Sequence, residues 1–423
     1  MKKTYENDWR YYVLKNWCDA TVRSLFSDIE SEGWENVPTD GAVLMAPNHC
    51  NTLMDALVVL QDRKDATLFG ARADVFRKPI LNKFLRFLRI LPIPRVRDGL
   101  QEVLHNRETM EEVIECLDHG MRYAMFAEGT HRPMHSLLPL KKGITRTALL
   151  ANERFGGSKP VYIVPMGLEY EDYYRLQTSL KIRYGKPINV TEYVAAHADA
   201  GEAEIHRGLL GILKERITGL ITYLPDDESY EGRWALTKMA SQEAAMAADE
   251  SLVQEAAAFE RQRKAAKLSS WSFAQDKPVF SLIVKLILSL LFLPFWIFSA
   301  VVSAPLWITA EHIVKGLKDK AFARTARFGV KLAGTPLMVI LWALVFFLCL
   351  PFKKAFIAFI MAILSFKFFY TGINEGRILL SDIRLLFGHK KLKDTYARLA
   401  AALRQLRPGD DTVVDEAAED FES

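Results

Sequence analysis

Cysteine is scarce in this chain of 423 residues: Cys18, Cys50, Cys116 and Cys349 stand far apart, with no metal-ligand spacing. That excludes a disulfide framework and points to a reducing compartment. A secretory leader is not expected either. Met1-Lys2-Lys3 could open one, but Glu6, Asp8 and Arg10 follow where an apolar core should stand. The net charge is only +4, and no basic repeat carries interleaved aromatics, so nucleic acid is not an expected partner. Charge is missing altogether from two long stretches near the C-terminus. Yet 50% of the residues are hydrophobic and 25% are charged, so apolar and polar parts must be segregated along the chain.

Leu286 to Ala310 and Leu332 to Phe352 hold no charged residue, and Ala355 to Ile373 holds only Lys367. Each is long enough to cross a hydrocarbon layer of about 30 Å. Three simple crossings would put the linker with Lys315, Lys318, Lys320, Arg324, Arg327 and Lys331 outside, against the preference of short basic loops for the cytoplasm. Pro294 is therefore expected to break the first stretch into two half-helices. Lys353-Lys354 would then turn a second hairpin, with every end cytoplasmic.

The polar part alternates strand-like and helical runs from about Ala42 to Pro187, which reads as α/β with a central sheet flanked by helices. Ahead of it, Trp9, Tyr12, Val13, Trp17, Val22 and Phe26 recur at helical intervals, predicting an amphipathic helix over residues 1–30. The α/β domain is expected over 31–230. A solvated helical arm over 231–270 and an all-α membrane-embedded region over 271–407 follow. The acidic tail, 408–423, is too poor in large apolar residues to fold.

Asn48-His49-Cys50-Asn51-Thr52-Leu53-Met54-Asp55 follows the apolar run Ala42 to Ala46, and Asn51 or Thr52 is placed to cap the next helix. A histidine at a helix mouth, with a carboxylate one turn below, can act as a general base. A polar helix start would look the same, so the pair alone decides nothing. Downstream, Phe126-Ala127-Glu128-Gly129-Thr130-His131-Arg132 leaves a buried run at a sharp turn. Glu128, Thr130 and Arg132 there suit a polyol-phosphate, although an ordinary turn is the plainer reading of Glu128-Gly129-Thr130 alone. Lys141, Lys142 and Gly143 precede a helix from about Ile144, an anion site or a solvated surface. Phe84 to Leu91 mixes arginines with bulky apolar residues, as an interfacial helix does.

In order, Asn48-His49 with Asp55, Arg95, Phe126 to Thr130 and Val164-Pro165 resemble the four blocks of the glycerolipid acyltransferases, with lysophosphatidate and glycerol-3-phosphate acyltransferases as the types. The approach Gly33 to Leu44 and the stretch Tyr184 to Ile188 resemble the same family, and the likeness covers roughly residues 30 to 190. It implies that His49 deprotonates an acceptor hydroxyl and Asp55 orients it. Glu128, Gly129 and Thr130 would hold glycerol-phosphate, with Arg95 on the phosphate, and Val164 and Pro165 would line an acyl pocket. Arg72 and Lys78 fit the stretch before the second block, or equally a face against the membrane surface.

Two departures stand out. The family usually has four residues between the His and the Asp, whereas this chain has five. An Arg usually follows the Thr directly, whereas His131 intervenes here and the phosphate role passes to Arg132, with Lys142 alongside. The resemblance implies a membrane enzyme that esterifies 1-acyl-glycerol-3-phosphate to phosphatidate, or else glycerol-3-phosphate or another lysolipid. Acyl-CoA or acyl-carrier protein would be the co-substrate, without metal or other cofactor. A thioester is already activated, so base, orientation and oxyanion stabilisation suffice. The readings from other classes are a catalytically silent lipid-binding scaffold, against which intact His49 and Asp55 argue, and a transporter. The nearly charge-free spans offer a transporter little to line a polar path.

Overall fold

The computed structural model describes residues 3–93, 100–275 and 278–406. Arg95 and the acidic tail lie outside them. The chain divides into two units, Met1–Thr222 with Val302–Lys367, and Tyr223–Val301 with Phe368–Ser423.

The first unit is built on a mixed eight-stranded sheet, ordered β1 (Ile29–Glu32), β7 (Leu180–Tyr184), β6 (Val161–Tyr170), β2 (Ala42–Pro47), β5 (Arg122–Ala124), β3 (Thr67–Arg72) and β4 (Ile90–Ile93). A short β8 (Ile188–Asn189) pairs with β6. β2 is parallel to both neighbours, with Leu44 beside Tyr123 on one side and Ile163 on the other. Among the described residues, only the β6–β7 and β6–β8 pairings are antiparallel. The unbroken apolar run of β2 has its cause here: a parallel strand covered on both faces has no solvent side, and all six of its residues are buried. Each fully buried Leu, Ile or Met in such a core stabilises the fold by roughly 1.5–3 kcal/mol.

Helices α4 (Leu100–Asp118), α5 (Gly143–Phe155), α6 (Val190–Ala196) and α7 (Glu202–Thr218) pack on strands of this sheet. Helix α1 packs on α2 (Leu53–Gln61), the helix that follows β2. α1 spans Trp9–Arg23, shorter than the 1–30 expected. It buries Tyr11 and Val22 but leaves Trp9 and Val13 exposed, so the face turned inward is not centred on the aromatics that suggested it. The interfacial stretch is split between α3 (Pro79–Phe87) and β4, with Ile80 and Phe84 exposed.

In the second unit, α8 (Tyr230–Thr237), α9 (Gln242–Ala247), α10 (Glu250–Ala265) and α14 (Lys390–Gln405) bury a shared core that includes Leu236, Phe259, Leu399 and Leu403. Residues 231–270 therefore do not stand as a solvated arm. Their many alanines are small enough to let helices approach closely, and Arg263 forks onto Glu260 at 2.6 and 2.7 Å among them.

Among the described residues, three helices are long and apolar enough to cross a membrane: α11 (Pro278–Gly316), α12 (Ala323–Cys349) and α13 (Phe352–Phe387). The break expected at Pro294 does not occur. α11 runs on through Pro294 and Pro305 for 39 residues, roughly 58 Å at 1.5 Å per residue. A proline costs a helix one N–H and displaces one carbonyl, and the apolar turns on either side hold the rest together.

Candidate active site

The chemistry-bearing residues gather where parallel strands β2 and β5 end. His49 lies in the loop leaving β2, and Glu128 in the loop leaving β5, so two segments about eighty residues apart meet at the carboxyl edge of one sheet. That edge is where open α/β sheets present their ligands.

His49 Nδ1 lies 2.7 Å from Asp55 Oδ2. A carboxylate can only accept, so Nδ1 carries the proton and Nε2 is left as the basic nitrogen. The same Oδ2 accepts the backbone N–H of Cys50 at 2.8 Å and of Asn51 at 2.6 Å. Oδ1 accepts the Tyr170 hydroxyl at 2.8 Å. Asp55 is wholly buried, and these four donors are what make a buried carboxylate tolerable.

Asp55 sits in the first turn of α2, while His49 is outside the helix, so the six-position separation never has to be met along a cylinder. The loop absorbs it. Thr52, at the N-cap, takes φ +52°, and its side chain makes no cap; it bonds instead to Thr325 Oγ1 at 3.0 Å. The side-chain cap expected of Asn51 or Thr52 is not made: the Met54 N–H bonds to Asn51 O at 3.0 Å, and Asp55 takes the N–H groups of the loop ahead of the helix. The imidazole stacks on Phe126, centroids 4.3 Å apart, and meets the His131 ring edge-on at 5.7 Å.

Glu128 is buried, and its carboxylate accepts the N–H of His49 at 2.6 Å and of Leu138 at 2.8 Å. Burial pushes its carboxyl above the ordinary value, and the two N–H bonds act the other way. Geometrically Glu128 ties the two loops together. Gly129 supplies the turn with φ +70°, a conformation that costs a residue with a Cβ roughly 1–2 kcal/mol. Thr130 is exposed beside it. Arg132 donates its backbone N–H to His49 O at 3.1 Å and its guanidinium to Ser136 at 2.7 Å. Lys142 is the exposed N-cap of α5. Val164 and Pro165 are buried on β6, beside Met45 and Ala46 of β2.

The structure therefore brings His49, Asp55, Glu128, Gly129, Thr130 and Arg132 together. Arg95 and the side chain of Arg72 are outside what is described, and Lys78 is an exposed N-cap of α3.

Sequence reasoning missed the turn between α11 and α12. Asp319 accepts from His131 Nε2 at 3.0 Å, and the Phe322 ring meets His131 edge-on at 5.5 Å. Two residues on, Arg324 is wholly buried. It donates to Asp172 O at 2.6 Å, to Arg175 O and to Thr178 Oγ1 at 3.1 Å. The basic character of this linker was the available signal, and it was spent on topology. A recess of about 840 Å³ lies elsewhere, lined by Tyr5, Tyr11, Phe84, Arg86 and Arg89 among others, and includes none of these site residues.

Residues 28–169 match the family model described as Acyltransferase, a span that holds both loops and the strands carrying them. Among solved structures, the chain is similar to the 1-acyl-sn-glycerophosphate (LPA) acyltransferase PlsC from Thermotoga maritima. The two are 22% identical over 48% of this chain and 77% of that one, with a TM-score of 0.35. Among curated proteins, none matches. The family match thus covers about a third of the chain, as an acyltransferase domain.

Proposed function

We propose that this acyltransferase-domain chain is a membrane-bound O-acyltransferase, with 1-acyl-glycerol-3-phosphate as acceptor, phosphatidate as product and His49 as general base. The observation that carries the reading is the His49–Asp55 pair, 2.7 Å apart at the sheet edge, with the basic Nε2 left for a substrate. Nε2 takes the proton of the acceptor hydroxyl as the oxygen attacks the thioester carbonyl. The tetrahedral adduct then collapses, the C–S bond breaks, and the imidazolium returns the proton to the leaving sulfur. Asp55 stabilises the imidazolium in between.

Thr130, Arg132 and Lys142 offer hydroxyl and cations to the glycerol-phosphate, and Gly129 gives the turn that presents them. Arg95 is assigned the same anion by resemblance. Glu128 acts by fixing the loops, since both its oxygens are engaged by backbone. Val164 and Pro165 would lie behind the acyl chain. Acyl-CoA or acyl-carrier protein supplies the thioester, and neither metal nor other cofactor has a part in these steps. Three apolar helices suit an enzyme whose acceptor is a lipid, and the basic linker, which meets the catalytic loop through Asp319 and His131, favours the cytoplasmic side for both. The alternative acceptor is glycerol-3-phosphate or another lysolipid.

The test is acyl transfer by purified protein in detergent or liposomes, with labelled lysophosphatidate or glycerol-3-phosphate and either donor, beside His49→Ala. Product from lysophosphatidate that vanishes in the variant supports the reading. Preference for glycerol-3-phosphate moves the enzyme one step earlier in phospholipid synthesis. Absence of His49-dependent product with every pairing refutes it in favour of an unusual acceptor or a silent lipid-binding protein.

A further inference from the structure

Tyr170 ends β6 and Arg324 begins α12, and the two meet underneath Asp55. The Tyr170 hydroxyl reaches Asp55 Oδ1 at 2.8 Å, on the side of the carboxylate away from His49. Its ring has no freedom to leave. Phe26 lies against it with centroids 6.1 Å apart, Tyr173 at 5.9 Å, and the Arg324 guanidinium 5.6 Å from its centroid. The guanidinium stands over Phe26 as well, at 4.6 Å, and is itself anchored by the carbonyls of Asp172 and Arg175. Both residues are wholly buried. No solvent can replace the phenol if it is removed.

Resting on the function proposed above, we propose that Tyr170 is a positioning residue that sets the proton affinity of the His49–Asp55 pair, and that α12 holds it there through Arg324. The phenol donates to the ionised carboxylate and draws negative charge toward Oδ1. Without that bond more charge is available at Oδ2, the imidazolium is favoured, and His49 keeps its proton to higher pH. The other ionisable groups around the pair are Glu128 on the His49 backbone, the Cys50 thiol 3.8 Å from Oδ1, the His131 ring paired with Asp319, and Arg132. None of them is altered when a single hydroxyl is deleted.

Tyr170→Phe in the full-length protein in detergent is the test, with the His49 imidazole followed by NMR of histidine-labelled protein, its resonance assigned by His49→Ala. The midpoint should move upward by roughly one pH unit, so kcat should fall up to about tenfold at pH below it and recover above it, with KM little changed. An unchanged thermal melt separates this from misfolding. Arg324→Met should shift the midpoint the same way alone and add little in the Tyr170→Phe background. A midpoint unmoved by Tyr170→Phe in folded protein overturns the proposal, whether or not transfer is seen. An Arg324→Met effect that persists in full in the double variant overturns the part given to α12. A moved midpoint in protein without transfer activity leaves the positioning role standing and defeats the function instead.

Discussion

Replacing Asp55 by Asn isolates the charge of the pair from its shape. The amide oxygen can take the place of Oδ2 and keep the N–H groups of Cys50 and Asn51, and the NH₂ can turn to the Tyr170 hydroxyl, which accepts as readily as it donates. The fold is retained. What goes, on the proposed mechanism, is the negative charge facing the imidazolium that forms during transfer. Two unit charges about 4 Å apart in surroundings of effective dielectric about 20 attract by about 4 kcal/mol. At 1.36 kcal/mol per decade that is about 10³-fold in kcat. If the amide sits the other way, its NH₂ faces Nδ1 and forces the wrong tautomer, which deepens the loss. Initial rates at saturating donor and acceptor measure kcat, and KM should stay within about threefold because Asp55 touches neither substrate. Circular dichroism and a melting curve establish that the variant is folded. A folded Asp55→Asn protein that keeps more than a tenth of its kcat would refute the electrostatic role.

Gly129→Val should lower activity roughly tenfold or more while leaving the core melt nearly intact, since a β-branched residue cannot hold φ +70° and the loop to Arg132 must shift. A loop merely covering the sheet would tolerate it. In the helical unit, burial pushes the Glu260 carboxyl up, but Arg263, with Lys238 and Lys264, more than offsets this and holds it below its ordinary 4.5. The folded state then binds fewer protons than the unfolded one between the two values. The stabilisation is present above about 4.5 and is lost as pH falls through the depressed value. Glu260→Gln should flatten that acid limb in melts followed from pH 7 down to 3, and an unchanged limb would refute the assignment. Burial pushes the thiols of Cys18 and Cys116 up to about 12, and it raises the Cys50 thiol well above its ordinary value too. All three should resist maleimide at pH 7.5 until the protein is denatured, as mass spectrometry of the labelled peptides would read.

The α/β architecture was legible because the signals that carry it are local. β2 is a single apolar run closed by Pro47, and Gly129 marks the turn after β5, so the two loops could be placed before they could be seen to meet. What they do to each other was not legible. Whether a glutamate such as Glu128 faces substrate or backbone depends on which N–H groups lie within 3 Å of it, and its partners are ten and seventy-nine residues away. Tyr170, Arg324 and Asp319 are further still from the residues they touch, and no spacing rule links them. Pro294 misled for a different reason. The rule that proline breaks helices is drawn from water, where freed backbone groups find other partners, and a long apolar helix gives them none.

The turn from Asp319 to Thr325 lies within bonding distance of His131 and Thr52, and the apolar helix α12 starts from it. On the proposed function, a lipid acceptor that meets His49 at the foot of such a helix need never dissolve. Its effective concentration is then a two-dimensional quantity, the mole fraction among neighbouring lipids, and the volume of the vessel drops out of the rate law. Inert phospholipid would compete by dilution, while extra buffer would change nothing for the acceptor and slow only the delivery of a water-borne donor. Product would be released sideways into the same sheet of lipid, ready for whatever consumes it there.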